Sequence, residues 1–361
     1  MANKRVHNFN AGPAALPLPA LEEAQRELVD FEGTGMSLLE HSHRDAPYEK
    51  VHREAISLLK SFLAIPDTHE VLLMQGGARA QFAIVPMNLL HAGSRAGYVV
   101  TGTWAKGAYE EAKLVGDARQ LVSTEADKRF TRVPTASELG AIDPGLAYVH
   151  ITSNNTLFGT QWSAYPEVGD VPLVVDATSD AGTRPVDWTK VAVLYAGAQK
   201  NLGPAGVTLV VVRKDLIDRG RKDVPTIFQY RSFASSESLY NTPPTFSIYV
   251  MRNTLRWLVE RGGLTKSSEE TKEKARRVYE VVDARADVFR CPVERASRSD
   301  VNVVFRMRSE DEEKRFLAEA QRRALVGLKG HRSVGGMRAS LYAAVSLESV
   351  DALTALMREW Q

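Results

Sequence analysis

The stretch Val191-Ala-Val-Leu-Tyr-Ala-Gly-Ala-Gln-Lys200-Asn-Leu-Gly-Pro-Ala-Gly206 sets an ammonium group just beyond an apolar run and among glycines. The run Val191 to Ala196 reads as a strand buried on both faces, the pattern of a parallel or mixed sheet covered by helices. Burying an unpaired ammonium is costly, and the usual outcome is loss of its proton. A lysine held neutral in this way is a nucleophile. Lysines at strand ends ordinarily snorkel to water, but a second strand pattern shifts the balance. Val171-Pro-Leu-Val-Val-Asp176 is also apolar and also finishes in one charged group. Neighbouring strands would carry the carboxylate and the amine to the same edge of the sheet, where ligands of such folds bind. A structural ion pair accounts for the two charges but not for the glycines around Lys200.

The rest of the chain fits that frame. Amphipathic patterns at 19–31 and 47–63 predict helices, and short apolar runs near residues 71–74, 97–100, 147–151, 172–175 and 207–212 predict further strands. After Thr245 the texture changes: a helix through Arg252 to Glu260 reaches Gly262-Gly263, a C-cap signal. Helix, strand, helix, strand and helix patterns then alternate to the end. The expected fold class is α/β, a mostly parallel mixed sheet covered by helices, with a smaller α+β unit after it. The expected division is an N-terminal segment 1–15, a large unit 16–262 and a small unit 263–361.

Composition narrows the function classes. The 361 residues are 44% apolar and 25% charged, and Lys+Arg 46 against Asp+Glu 44 leaves a net charge of +2. That balance argues against a nucleic-acid binder. The lone Cys291 excludes an internal disulfide and suits a reducing cytoplasm. There is no signal-peptide pattern and no apolar stretch of membrane-spanning length, about 18 residues or more. A soluble cytoplasmic protein is expected.

Lysine and acid together match the needs of pyridoxal phosphate, which takes an amine for its Schiff base and an acid at its pyridine nitrogen. Gln75-Gly-Gly-Ala-Arg79 follows a strand and opens a helix, a turn that offers N–H groups and a positive dipole end to a phosphate. Trp104, in Thr101-Gly-Thr-Trp, can stack on a planar ring; Thr156, in Thr152-Ser-Asn-Asn-Thr, supplies a hydroxyl. Each of these alone also reads as an ordinary turn or core residue. A second set is basic: His41-Ser-His-Arg44 and Lys329-Gly-His-Arg-Ser-Val-Gly-Gly-Met-Arg338. Arginine and histidine concentrated in such loops suit a substrate with several negative groups. No carboxylate or cysteine set completes a metal site around the histidines, so no metal is expected. The absence of G-x-G-x-x-G after a strand argues against a nicotinamide dehydrogenase.

Taken in order, Phe9-Asn-Ala-Gly-Pro-Ala-Ala-Leu-Pro, Ser42-His-Arg, Gly76-Gly-Ala-Arg-Ala-Gln-Phe, Thr152-Ser-Asn-Asn-Thr, Gly197-Ala-Gln-Lys-Asn, Tyr240-Asn-Thr-Pro-Pro-Thr-Phe and Gly330-His-Arg-Ser-Val-Gly-Gly-Met-Arg-Ala-Ser resemble the phosphoserine aminotransferase family. These motifs run from near residue 7 to the end. The resemblance implies a fold-type-I pyridoxal-phosphate enzyme that works as a homodimer with active sites at the subunit interface. It implies that Lys200 forms the Schiff base and moves the proton, that Asp176 pairs with the pyridine nitrogen, and that Trp104 stacks on the ring. Thr156 and Gln199 would contact ring substituents, with Ala78 and Arg79 at the phosphate. Asn241 and Thr242 would reach that phosphate from the partner subunit. Arg338 would hold the substrate α-carboxylate, and His43, Arg44, His331 and Arg332 the distal anion of glutamate, phosphoserine or 3-phosphooxypyruvate. The family also points to side activity on 4-phosphooxy-threonine in pyridoxine synthesis. Three positions depart from the frequent pattern: Ala11 and Thr178 for serine, and Ala78 for glycine. Two other readings are a cysteine desulfurase or related lyase, which needs a reactive thiol, and a binder of phosphorylated metabolites in which Lys200 forms no imine.

Overall fold

Runs rich in valine and leucine assemble into a seven-stranded sheet in the order His69–Met74, Thr208–Arg213, Val191–Gly197, Leu173–Asp176, Leu146–Thr152, Arg95–Val100, Asp117–Ser123. The computed structural model describes residues 5–361, so the first four residues of the expected segment 1–15 lie outside the described residues. The strands from Val191–Gly197 to Asp117–Ser123 pair in parallel, and Thr208–Arg213 runs antiparallel to both its neighbours. The chain therefore turns straight back after Val191–Gly197, and the connection that makes this reversal carries Lys200.

Every residue of Val191–Gly197 is buried. Alternation sends Leu194 and Ala196 to one face, with Leu59 and Phe62 of the helix Ala46–Phe62 and Met251 and Leu255 of the helix Thr245–Glu260. Val193 and Tyr195 face the other side, with Phe82 and Val85 of Gly77–Leu89 and Ala108 and Ala112 of Thr103–Val115. Full burial of each valine or leucine stabilises the fold by roughly 1.5–3 kcal/mol, which is why neither face of the sheet stays uncovered.

A third apolar cluster gathers Phe9 with Val278, Phe305, Phe316, Leu341 and Leu353. It is built from the antiparallel strands Asn302–Phe305 and Met337–Ser340 and the helices Gly263–Ala284, Glu310–Arg322 and Leu347–Glu359. The strand His7–Asn8 pairs in parallel with Leu325–Val326, tying the start of the chain to this cluster. Gly262 does not simply end a helix. In the left-handed conformation (φ 106°), it joins Thr245–Glu260 directly to Gly263–Ala284. The helix expected over 19–31 is shorter, Leu18–Arg26. Beyond it the chain bends through Gly33 and Gly35, both at positive φ, and Phe31 reaches the core from that bend to meet Tyr249 edge-on at 5.8 Å.

Candidate active site

The site follows from strand register. Thr152 pairs with Asp176 and Asp176 with Tyr195, so three parallel strands end nearly in step at one edge of the sheet. Asp176 is the last residue of its strand; Lys200 lies three residues past the end of the next. The turn holding Lys200 is pinned by the Ala198 N–H on the Val207 carbonyl (2.9 Å) and the Gly203 N–H on the Ala198 carbonyl (2.9 Å). Gly203 is needed for close approach, since a Cβ there would stand 2.9 Å from Met251 Cα.

Lys200 Nζ donates to Thr156 Oγ1 at 2.6 Å. Burial pushes its ammonium down to about 8; Asp176 pulls the other way, and the cation of Arg338 pushes it down further. Burial raises the Asp176 carboxyl, opposed by Thr178, whose N–H donates to Oδ1 at 3.0 Å, and by Lys200. Asp180, four residues on, is buried too, but the Ser153 hydroxyl, Gln161 Nε2 (3.1 Å) and Arg184 (3.3 Å) already surround it. Asp176 is the carboxylate left facing the cavity.

That cavity, about 300 Å³, is lined by Ala78, Arg79, Trp104, Thr156, Asp176, Gln199 and Lys200 among others. Gly76, left-handed at φ 90°, turns the chain into the helix Gly77–Leu89, so Ala78 and Arg79 fall in its first turn. The Arg79 guanidinium carbon lies 5.6 Å from the Trp104 ring centre. Trp104 stands at the start of Thr103–Val115, and Gly102 before it passes so close to Asn155 that a Cβ would meet Nδ2 at 2.3 Å. Trp104 Nε1 is buried with no hydrogen-bond partner. A helix start with an arginine, an indole wall, a carboxylate and an amine around one space of this size suit a flat aromatic ring that bears a phosphate, a ring nitrogen and an aldehyde.

Arg338 arrives from the strand Met337–Ser340. It is 9% exposed, its Nη1 donates to the Thr156 carbonyl at 3.2 Å, and its Nε is buried without a partner. Thr156 thus serves two cations, its hydroxyl touching Lys200 and its carbonyl Arg338. The remaining predicted residues do not line the Lys200 cavity. Asn241 Nδ2 lies 3.4 Å from Gln75 Oε1, Gln75 Nε2 donates to the Thr242 carbonyl (3.2 Å), and Thr242 Oγ1 is 3.3 Å from His43 Nδ1. This group sits outside the glycine turn, with Arg44 exposed beside it. His331 and Arg332 occupy a separate turn, in which His331 Nδ1 meets Ser333 Oγ at 2.7 Å.

Several neighbours were not singled out from sequence. Phe82, Thr152, Asn154 and Ser179 also line the cavity, as does Thr178, which the sequence marked only as a departure from serine. Phe82 was one turn beyond Arg79 in an apolar stretch, a spacing that was available. The N-terminal segment crosses the amine: the Ala14 N–H donates to the Gln199 carbonyl (2.9 Å), and Tyr342 Oη to the Ala11 carbonyl (2.9 Å). Between them Gly12 lies so close that a Cβ would meet Lys200 Cγ at 3.2 Å. No sequence signal announced that contact.

Comparison with known proteins agrees with this geometry. Residues 6–353 match the family model for aminotransferase class-V. The phosphoserine aminotransferase of Lysinibacillus sphaericus is 48% identical over 358 residues, spanning 99% of this chain and 98% of that protein. The solved phosphoserine aminotransferase of Bacillus circulans subsp. alkalophilus superposes with a TM-score of 0.96 at 47% identity, covering 99% of both chains. The pyridoxal-phosphate-bound phosphoserine aminotransferase of Trichomonas vaginalis gives a TM-score of 0.93 at 35% identity, covering 98% of this chain and 100% of that one. Sequence likeness over almost the full length and a shared backbone leave one assignment: the chain belongs to the class-V aminotransferase family.

Proposed function

We propose that this chain is a phosphoserine aminotransferase that uses pyridoxal 5'-phosphate to exchange an amino group between glutamate and 3-phosphooxypyruvate, giving O-phosphoserine and 2-oxoglutarate. The observation that carries the reading is the opening of Lys200 and Asp176 into one cavity that Trp104 also lines. When bound, the cofactor supplies an aldehyde for amines and a ring that takes up the electron pair released at the substrate α-carbon.

Lys200 is the nucleophile for that aldehyde and the group that carries the α-proton at Nζ, oriented by the Thr156 hydroxyl. Asp176, whose Oδ1 accepts the Thr178 N–H, would hold a proton at the ring nitrogen. Trp104 would form a wall that excludes water from one ring face, and Thr156 and Gln199 would meet the ring substituents. Ala78 N–H and the Arg79 side chain hold the phosphate at the helix start. Arg338, buried and short of partners, takes the α-carboxylate. His43, Arg44, His331 and Arg332 take the distal anion, so one basic set serves both half-reactions. A longer substrate with the same anionic ends, 4-phosphooxy-threonine, meets the same charges.

Asn241 and Thr242 complete the phosphate site of the opposite protomer in a homodimer. Two features support this: neither residue lines the cavity of its own chain, and His43 Nε2 and Asn241 Oδ1 beside them are buried without partners. The third apolar cluster supports a division into segment 1–15, large unit 16–262 and small unit 263–361. Cytoplasmic placement suits a chain in which, among the described residues, no helix is long and apolar enough to cross a membrane. A desulfurase finds no support, because burial pushes the Cys291 thiol up rather than activating it.

Glutamate added to the holoenzyme should bleach its visible absorbance, and 3-phosphooxypyruvate should restore the band with release of O-phosphoserine. Bleaching without phosphoserine formation would overturn the substrate assignment. The amine also dictates a pH dependence. With Lys200 pushed down to about 8, the neutral form grows as pH rises through that value. The rate at which cofactor-free protein captures pyridoxal phosphate should climb from pH 6.5 to a plateau near pH 9, an increase of about thirtyfold. Folding runs in the same sense: the unfolded lysine keeps its proton to higher pH, so stability rises between about 8 and the ordinary lysine value. Stopped-flow absorbance checks the capture rate, and a flat profile would count against a buried, depressed amine.

A further inference from the structure

A glycine-rich turn that must present charged side chains has little of its own to pack, so its position depends on what lies beneath it. The turn carrying His331 and Arg332 is closed by the Gly330 N–H on the Gly336 carbonyl (2.8 Å) and by the Val334 and Gly335 N–H groups on the His331 carbonyl (2.9 and 2.8 Å). Beneath it lies Arg306. The Arg306 backbone is fixed on both sides by Arg290, donating N–H at 2.8 Å and accepting at 3.0 Å. Its Nε donates to Glu313 Oε1 at 2.6 Å, the oxygen that also accepts the Met307 N–H at 3.2 Å. Its Nη1 donates to the Val334 carbonyl at 3.3 Å, inside the turn.

The glycines of the motif fit this support. Gly335 and Gly336 are both left-handed, at φ 74° and 70°. A Cβ on Gly336 would stand 2.4 Å from Arg306 Cδ, and one on Gly335 3.3 Å from Arg306 Nη1. The turn rests directly on the guanidinium. We propose that Arg306, braced by Glu313, is a positioning residue that sets where His331 and Arg332 stand, and hence how strongly the enzyme favours substrates with a distal anion. It is not an anion ligand itself. Its side chain is 17% exposed and its charge is matched by Glu313, 8% exposed, so replacing it leaves the free cations of the turn unchanged in number. The inference rests on His331 and Arg332 taking the distal anion, as proposed above.

The test uses holoenzyme of Arg306→Met, which keeps an unbranched stem but no donors, and of Arg306→Lys. Single-turnover conversion by phosphoserine, glutamate and alanine, the last lacking a distal anion, is followed by cofactor absorbance. In Arg306→Met the half-saturating concentration for phosphoserine and glutamate should rise on the order of tenfold, the scale of a small misplacement of binding groups. The limiting rate, the resting spectrum and the reaction with alanine should stay as in the parent, and Arg306→Lys should recover part of the loss. Equal loss for alanine and phosphoserine, or no loss at all, overturns the proposal. If Arg306→Met gives no soluble holoenzyme, Gly336→Ala, which drives a methyl into Arg306 Cδ, should give the same selective loss; unchanged selectivity there overturns the proposal. Arg332→Ala and His331→Ala separate the two layers. If these two leave the preference for phosphoserine over alanine intact, the anion-site reading fails and this inference with it. If they abolish it while Arg306→Met does not, only the positioning role fails.

Discussion

Lys200→Ala will leave a folded protein that shows no visible band from bound cofactor and loses turnover by at least about 10⁴-fold. The loss is large because the proposed mechanism gives one amine two tasks, capturing the aldehyde and carrying the α-proton, and no other lysine among the described residues lines the cavity. Lys274, also buried, has its Nζ committed to the Tyr342 and Val345 carbonyls at 2.8 and 3.2 Å. Removing the Lys200 side chain also relieves the cost of burying its charge, so thermal stability should hold or rise. Borohydride treatment of the parent protein followed by peptide mapping should place the reduced label on Lys200. A labelled peptide from elsewhere, or a variant that retains the band and turnover, would refute the assignment.

Asp176→Asn will keep the cofactor but lower the limiting rate by about 10²–10³-fold, the scale for losing one group that stabilises developing charge. Asparagine preserves the shape and its oxygen still accepts the Thr178 N–H, seen here at 3.0 Å. What it removes is the negative charge that, in the proposed mechanism, would hold a proton at the ring nitrogen and make the ring a better electron acceptor. Half-saturating substrate concentrations should change little, because Asp176 does not belong to the basic set proposed to take the substrate anions. The resting band should shift while the fold remains; circular dichroism and a rapid-mixing half-reaction read both. Parental rates in Asp176→Asn would remove Asp176 from the mechanism.

How much of this was legible before the structure varies by element for physical reasons. Strands buried on both faces announce themselves as apolar runs, so the ends carrying Asp176 and Lys200 stood out. That they end in step, Thr152 beside Asp176 beside Tyr195, is a matter of register, which no single strand encodes. Asp117–Ser123 escaped because it is an edge strand with much of its length wet, and its polar sequence lacks an apolar run. The helix ending at Arg26 was read too long because Leu28 and Phe31 continued the helical spacing, while the glycines that bend the chain come only afterwards. The residues around the amine split in the same way. Arg79 and Trp104 could be placed near it because each follows a strand end. The double role of Thr156, the seat of Gly12 on Lys200 and the group formed by His43, Thr242 and Gln75 join distant parts of the chain. Such contacts leave no periodic trace. The resemblance to known enzymes pointed to most of these residues, but not to Arg306 or to the contact between Gly12 and Lys200.

The seating of Gly12 on Lys200 bears on the order of synthesis. Ala11 is held by Tyr342, and His7–Asn8 pairs with Leu325–Val326, so this early segment finds its place only against residues far later in the chain. A growing chain in which Lys200 has already emerged still lacks the roof over it until the segments carrying Leu325 and Tyr342 have followed. Contacts this distant in sequence are slow to close. The amine is therefore born uncovered, and its enclosure waits on contacts between distant parts of the chain.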